Sequence, residues 1–129
     1  THFTGKIGVA VEILCDQVSE RLDELGKNIC LHIAAFSPDF VSGEDIDEEV
    51  LNKEREIYTA QVRESGKPEN IVANIVEGKI RKFKEERCLL SQGFALDESK
   101  TVQDLVNECS KEMGEKITVK RFARVSIGD

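Results

Sequence analysis

The side chains best suited to nucleophilic or metal chemistry are four cysteines and two histidines. They are scattered along the chain as Cys15, Cys30, Cys88, Cys109, His2 and His32. Structural zinc sites usually draw their ligands from closely spaced pairs, and no C-x-x-C pair occurs here. Each cysteine lies within or beside an apolar run. We interpret the thiols as buried and free, which fits a reducing compartment, although the sequence leaves a disulfide open. The sequence therefore predicts no metal site.

The sequence does not support a catalytic site any more than it supports a metal site. His32 stands beside Ile33 near the end of an amphipathic helix, which favours a core or capping histidine over a catalytic one. The basic run 79–84 is flanked by Glu77 and Glu85, so ion pairs within one helix explain it better than an anion site. Neither a phosphate-binding loop nor a dinucleotide fingerprint is present. We therefore expect no catalytic residues, no cofactor and no enzyme.

The charge and length of the chain exclude several classes of partner. Its 129 residues include 18 basic and 25 acidic side chains, for a net charge of −7. Such a chain is a poor candidate for general binding to nucleic acid or to anionic membranes. No apolar run approaches the roughly 18 residues of a membrane span, and no signal peptide is visible. Because no Met stands at the start, we interpret the chain as a piece of a longer protein.

Two segments have the period of β-strands and one has the period of a helix. Apolar residues alternate with small or polar ones over 5–14 and again over 117–127, which predicts two strands that can pair. Between them, residues 16–36 carry an apolar stripe at helical spacing, ended by Ser37 and Pro38. The small residues on the second face of the first strand indicate that another element can pack closely there.

The middle of the chain predicts two long, highly charged helices. Narrow apolar stripes run over 45–65 and 69–90, and a Ser-Gly-Lys-Pro break at 65–68 separates them. Helices of about 20 residues reach roughly 30 Å, and a tight turn forces them to pack antiparallel. We expect a protruding helical hairpin, because neither helix has a second apolar face.

The remaining segment, 90–99, is expected to be an irregular loop that contains apolar Phe94 and Leu96. A short helix should follow it, capped by Ser99 or Thr101 and ended by Gly114. The residues alone thus predict an α+β domain with a protruding hairpin, which favours a protein-binding role.

Five segments, read in order, resemble the elongation factor Ts family, the guanine-nucleotide exchange factors of elongation factor Tu. They span the chain from residue 2 to residue 129 and read HFTGKIGVAVEI, LHIAAFSPDF, SGKPENIVANIVEGKIRKFKEERCLLSQGF, DESKTVQDL and VKRFARVSIGD. Each match alone is weak, but five in register are specific. The resemblance covers the C-terminal half of the family. The N-terminal helical domain, and the N-terminal half of the core with its T-D-F-V motif, have no counterpart here.

The resemblance implies a fold and a domain organisation. It implies an antiparallel three-stranded sheet packed with helices, interrupted by the inserted, protruding antiparallel helical hairpin. Residues 1–44 and 91–129 would form the C-terminal core subdomain, and residues 45–90 would form the hairpin.

The resemblance also implies which residues contact the partner. His2 matches the family's histidine ahead of the first strand, and Phe94, Ala95 and Leu96 match the apolar residues of the Q-P-F-x-x loop. For Phe94 a core position beneath the loop is an equal alternative, whereas for Leu96 contact is favoured. Gly93 replaces the family's usual proline, so we expect a less rigid loop.

The implied function is binding to elongation factor Tu and promotion of GDP release, with no cofactor. The alternative is a structural dimerisation module, with exchange activity in the missing N-terminal half. A homodimer through strand edges and the hairpin is also expected, because family members associate through this half. The implied location is the bacterial cytoplasm, or the matrix or stroma of an organelle.

Overall fold

The computed structural model describes residues 6–127 and has an α+β architecture. In chain order its elements are β1 (Lys6–Leu14), α1 (Glu20–Phe36), α2 (Glu48–Glu64), α3 (Glu69–Arg87), β2 (Gly93–Phe94), β3 (Asp97–Thr101), α4 (Val102–Met113) and β4 (Thr118–Ile127). Single 3₁₀ turns at Gly43–Asp45 and Leu89–Ser91 flank the pair α2 and α3. None of the helices within this described part is both long and apolar enough to cross a membrane.

The first and last strands pair, as their alternating patterns predict. β1 and β4 are antiparallel, with Ala10 opposite Ala123 and a register shift after Glu12. α1 packs on one face of this sheet and against α4, and the cluster that these elements bury includes Leu25, Ile29 and Val106. The other face carries Ala10 and Ala123, both exposed. The sheet therefore buries one face and leaves a face of small side chains open.

Helix α1 begins and ends at defined caps. The Ser19 hydroxyl accepts a hydrogen bond from the Leu22 amide at 3.2 Å, so the helix starts at Glu20, four residues after the beginning of the predicted stripe. At its end Ser37 adopts φ 46°, and its amide donates to the Ile33 carbonyl. This left-handed residue and the following Pro38 stop the helix. Gly26 lies within α1 without interrupting it.

Helices α2 and α3 pack against each other and run antiparallel. Arg63 lies against Glu69 near the turn, and Arg55 lies against Glu77 farther from it. Gly66 between the helices has φ 82°, the left-handed conformation that glycine adopts at little cost. Side chains of both helices, together with Ile46 before α2 and Cys88 after α3, form a second buried cluster: Ile46, Leu51, Val62, Val72, Val76, Ile80, Phe83 and Cys88.

The end of α3 is fixed by the segment that precedes α2. The Leu89 amide donates to the Phe40 carbonyl at 2.8 Å, and the Leu90 amide donates to the Val41 carbonyl at 3.1 Å. These bonds draw the chain out of helical geometry after Arg87. The apolar pattern in the sequence continues to residue 90, beyond the end of the helix. Its apolar residues there include Leu89, which is fully buried but belongs to a 3₁₀ turn and not to α3.

Two expectations about strands need correction. The segment 90–99 was expected to be irregular, but β2 and β3 form a small antiparallel ladder, with Gly93 opposite Thr101 and Phe94 opposite Asp97. In residues 6–127 the strands form two two-stranded sheets, in place of the three-stranded sheet that the resemblance implies. β3 is short, polar and mostly exposed, so it has no apolar face to place on the core as a third strand.

Candidate functional site

The segment 92–96 lies where the 3₁₀ turn, β2 and the end of α1 meet. The Val102 amide donates to the Gln92 carbonyl at 3.0 Å, which ties the start of the segment to the start of α4. Before it, the Ser91 hydroxyl donates to the carbonyls of Glu85 and Cys88. The backbone on the N-terminal side of the segment is therefore anchored to both α3 and α4.

The imidazole of His32, on α1, anchors the rest of the segment. It is completely buried, and its Nδ1 accepts a hydrogen bond from the Ala95 amide at 3.1 Å. Since Nδ1 accepts, Nε2 carries the proton and donates to Gln92 Oε1 at 2.8 Å. The Gln92 amide nitrogen in turn donates to the Glu86 carbonyl at 2.8 Å, which orients its oxygen toward His32. One neutral tautomer satisfies all three hydrogen bonds.

Two aromatic rings enclose this imidazole. Phe36 stacks on it with ring centroids 4.9 Å apart, and Phe94 lies tilted against it at 6.1 Å. Burial penalises the charged form and lowers the pKa of His32, although the hydrogen bond with Gln92 acts in the opposite direction. His32 is therefore a neutral core histidine, as expected, but its hydrogen bonds serve the 92–96 segment.

The structure places the predicted contact residues at different depths. Phe94 is 5% exposed and Leu96 is 68% exposed, with Ala95 half-buried between them. Phe94 thus lies in the core position that was the alternative interpretation for it. Leu96 extends its side chain into solvent. His2 lies outside the described residues, so the structure does not bring it into this group.

Sequence reasoning missed the pairing of His32 with Gln92 and Ala95. The only signal was a polar ring on the buried face of an amphipathic helix, which indicates that a partner must exist. The two partners, Gln92 and Ala95, lie 60 and 63 residues away from His32 in the sequence. No periodicity within one element can reveal a contact at that separation.

The cysteines form neither a disulfide nor a metal site. All four are free, two of them buried and two half-buried. Burial raises the pKa of the Cys30, Cys88 and Cys109 thiols, and a hydrogen bond to the Glu115 carboxylate raises that of Cys15. Within residues 6–127, no group of three or more His, Cys, Asp or Glu side chains is arranged to hold a metal ion.

Comparisons with known proteins identify the family. The sequence model described as Elongation factor TS matches residues 1–129. A protein named Elongation factor Ts from Thermosipho melanesiensis is 46% identical, over 99% of this chain and 67% of its own length. One of the same name from Geobacter sulfurreducens is also 46% identical, over 99% of this chain and 61% of its own length. This chain therefore corresponds to part of such proteins, and it belongs to the elongation factor Ts family.

Proposed function

We propose that this chain acts in translation elongation by binding elongation factor Tu and promoting the release of GDP. The observation that carries the proposal is the exposure of Leu96 beside a backbone held by His32. A single exposed leucine is common on protein surfaces. Here it follows a segment whose preceding residues are fixed by hydrogen bonds to three helices, which prepares it for insertion into a partner's pocket at low entropic cost.

Nucleotide exchange of this kind needs no proton transfer or covalent step. A factor that binds the nucleotide-free form of a GTPase more tightly than the nucleotide-bound form lowers the affinity of the GTPase for GDP. The chain's task is therefore to offer a surface that fits one state better than the other. In the proposal, Leu96 and Ala95 contact the partner and Phe94 supports them from beneath. His2 remains a predicted contact on the basis of the family resemblance alone.

We also propose that residues 1–44 and 91–129 form a core subdomain and that residues 45–90 form a protruding hairpin. Two separate buried clusters support this division. One cluster includes Ile29 between the β1–β4 sheet, α1 and α4, and the other includes Val76 between α2 and α3.

A dimerisation module is the second candidate, and the open face of the β1–β4 sheet favours it. Gly8, Ala10, Ala123 and Val125 are all exposed on that face, and among residues 6–127 no atom beyond the chain neighbours of Gly8 lies within 4 Å of the position that a Cβ would take there. Small side chains allow two sheets to approach closely. Sedimentation velocity over a range of concentrations tests this candidate, and a monomer at all concentrations would exclude it.

We further propose that the chain acts in the bacterial cytoplasm and binds neither nucleic acid nor membranes. The relatives named above are bacterial, which favours the bacterial cytoplasm over an organellar matrix or stroma. The net charge of −7 supports the exclusion of nucleic acid and anionic membranes as partners.

The test is the release of a fluorescent GDP analogue from elongation factor Tu, with and without this chain, together with a binding titration. Accelerated release supports exchange by this part of the protein alone. Binding without accelerated release would indicate that GDP release requires the part of the longer relatives that this chain does not match. Absence of both would reject the proposal and leave dimerisation as the leading candidate.

Leu96→Asp tests the contact itself, because a carboxylate in an apolar pocket loses its hydration. We expect affinity for elongation factor Tu to fall at least about tenfold. Val18→Asp is the matched control, since Val18 is 85% exposed and lies before α1. Equal losses in both variants, or none in either, would remove the assigned role of Leu96.

A further inference from the structure

We propose that His32 is a positioning residue for partner binding: by bonding both Gln92 and the Ala95 amide, its imidazole sets the direction in which Leu96 leaves the surface. This inference rests on the function proposed above. His32 itself is completely buried and touches no partner, so its effect must pass through the segment that it holds.

The geometry joins two points of one short segment through a single ring. Nε2 donates to the Gln92 side chain at 2.8 Å, and Nδ1 accepts from the Ala95 backbone at 3.1 Å. The ring thereby fixes the spacing between positions 92 and 95. Leu96 is bonded directly to Ala95, so a rotation of the Ala95 peptide would redirect the Leu96 side chain.

Nothing in the packing of the core requires a polar residue at position 32. The ring lies among apolar neighbours, with Phe36 stacked on one side and Phe94 tilted against it. Leucine would fill similar volume without the cost of removing an imidazole from water. The hydrogen bonds offset that cost, and both go to the 92–96 segment. The presence of histidine at position 32 is therefore explained by its hydrogen bonds to the 92–96 segment and not by the packing of the core.

The groups that bond or stack against the ring do not titrate: they are the Gln92 side chain, the Ala95 amide and the rings of Phe36 and Phe94. The charged side chains on the neighbouring elements have other partners. Arg124 on β4 donates to the Ala34 carbonyl, Asp97 on β3 accepts from Ser99, and Glu86 on α3 faces Lys82. The part of an acid-dependent change in partner affinity that originates at His32 is therefore the part that disappears when position 32 carries no imidazole, since His2 and the partner's own groups are the same in both cases.

The first measurement needs no partner. Amide hydrogen exchange is compared between this chain and its His32→Leu variant, in which position 32 keeps its volume and loses both hydrogen bonds. We expect the Ala95 amide to exchange about tenfold faster, while the amides of α4 keep their rates. Unchanged exchange at Ala95 would overturn the inference.

The second measurement is affinity for elongation factor Tu in a double-mutant cycle. His32→Leu should weaken binding about tenfold in the parent chain and less than about twofold in the Leu96→Ala background, because the side chain that it directs is then absent. Additive losses would show a general structural effect and overturn the inference. If the parent chain does not bind at all, the proposed function fails, and amide exchange alone decides whether His32 holds Ala95.

His32→Asn covers the case in which the leucine variant does not fold. Its side-chain oxygen lies near the position of Nδ1 and can still accept from the Ala95 amide, but it does not titrate. We expect it to bind within about threefold of the parent at neutral pH, and to weaken less in acid than the parent does. An acid response equal to that of the parent would overturn the inference.

Discussion

The imidazole of His32 and the backbone amide of Ala95 are joined by a 3.1 Å hydrogen bond across 63 residues of sequence. The bond links the core helix α1 to a surface segment that ends in an exposed leucine. Since backbone amides in buried positions need an acceptor, the ring and the segment depend on each other. This dependence connects the stability of the fold to the shape of the proposed contact surface.

Stability should fall in acid through His32. Burial lowers the folded-state pKa below the ordinary value of about 6.5, so the unfolded chain binds the proton more readily. The contribution of the neutral ring is fully present above about pH 6.5 and is lost as pH falls through the folded-state pKa. Urea unfolding at pH 7.5, and at stepwise lower pH down to pH 5, measures how the free energy of unfolding falls.

His32→Leu provides the control for this prediction. The variant keeps every carboxylate and keeps His2, so the difference between the two pH profiles isolates His32. We expect a flatter profile for the variant between about pH 6.5 and 5. Parallel profiles would contradict the neutral buried state assigned to this ring.

Two glycines of the hairpin, Gly66 in the turn and Gly78 within α3, should change the stability in opposite directions when replaced by alanine. Gly78 lies within α3, and in the described part of the chain no atom outside its own helix backbone lies within 4 Å of its Cβ position. Gly78→Ala should therefore stabilise the chain by about 1 kcal/mol through helix propensity. Gly66 has φ 82°, where alanine is strained, so Gly66→Ala should destabilise it by about 1 kcal/mol. Thermal unfolding of both variants measures the two changes in stability. If both variants were stabilised, or both destabilised, the backbone conformations assigned to these glycines would be contradicted.

Gly93 should accept a side chain without loss of function. A Cβ at this position would lie 3.6 Å from the Glu98 carbonyl oxygen, an ordinary contact. Gly93→Ala restricts the unfolded chain and should stabilise the fold by about 0.5 kcal/mol. Affinity for elongation factor Tu should stay within about twofold, as measured by the same titration as for Leu96→Asp. A large loss of affinity would mean that the segment must flex during binding.

The two buried clusters should unfold locally as separate units. Val76→Ala opens a cavity between α2 and α3 and should lower the free energy of unfolding by about 2 kcal/mol. Amide exchange should then accelerate in those helices and remain unchanged in β1 and β4. Ile29→Ala, in the other cluster, should accelerate exchange in β1 and β4 instead. Acceleration throughout the chain by both variants would argue for one cooperative unit and against the proposed division at residues 45–90.

Local patterns in the sequence were sufficient for most of the elements. The alternation in 5–14 and 117–127, the stripe in 16–36 and the break at 65–68 each depend on neighbours a few residues apart. Such patterns reflect the intrinsic geometry of strands and helices, so they can be read without knowing the fold. The five family segments were readable for a similar reason, because each is a contiguous run.

Other features were decided only when distant segments met. The bonds from Leu89 to Phe40 and from Leu90 to Val41 ended α3 early, and the exposed polar strand β3 paired with β2 in place of the main sheet. Above all, the sequence showed His32 as a polar ring on an apolar face, whereas the tertiary structure supplied Gln92 and Ala95 as its partners. Long-range hydrogen bonds depend on how packed elements place their ends, and no local period encodes that placement.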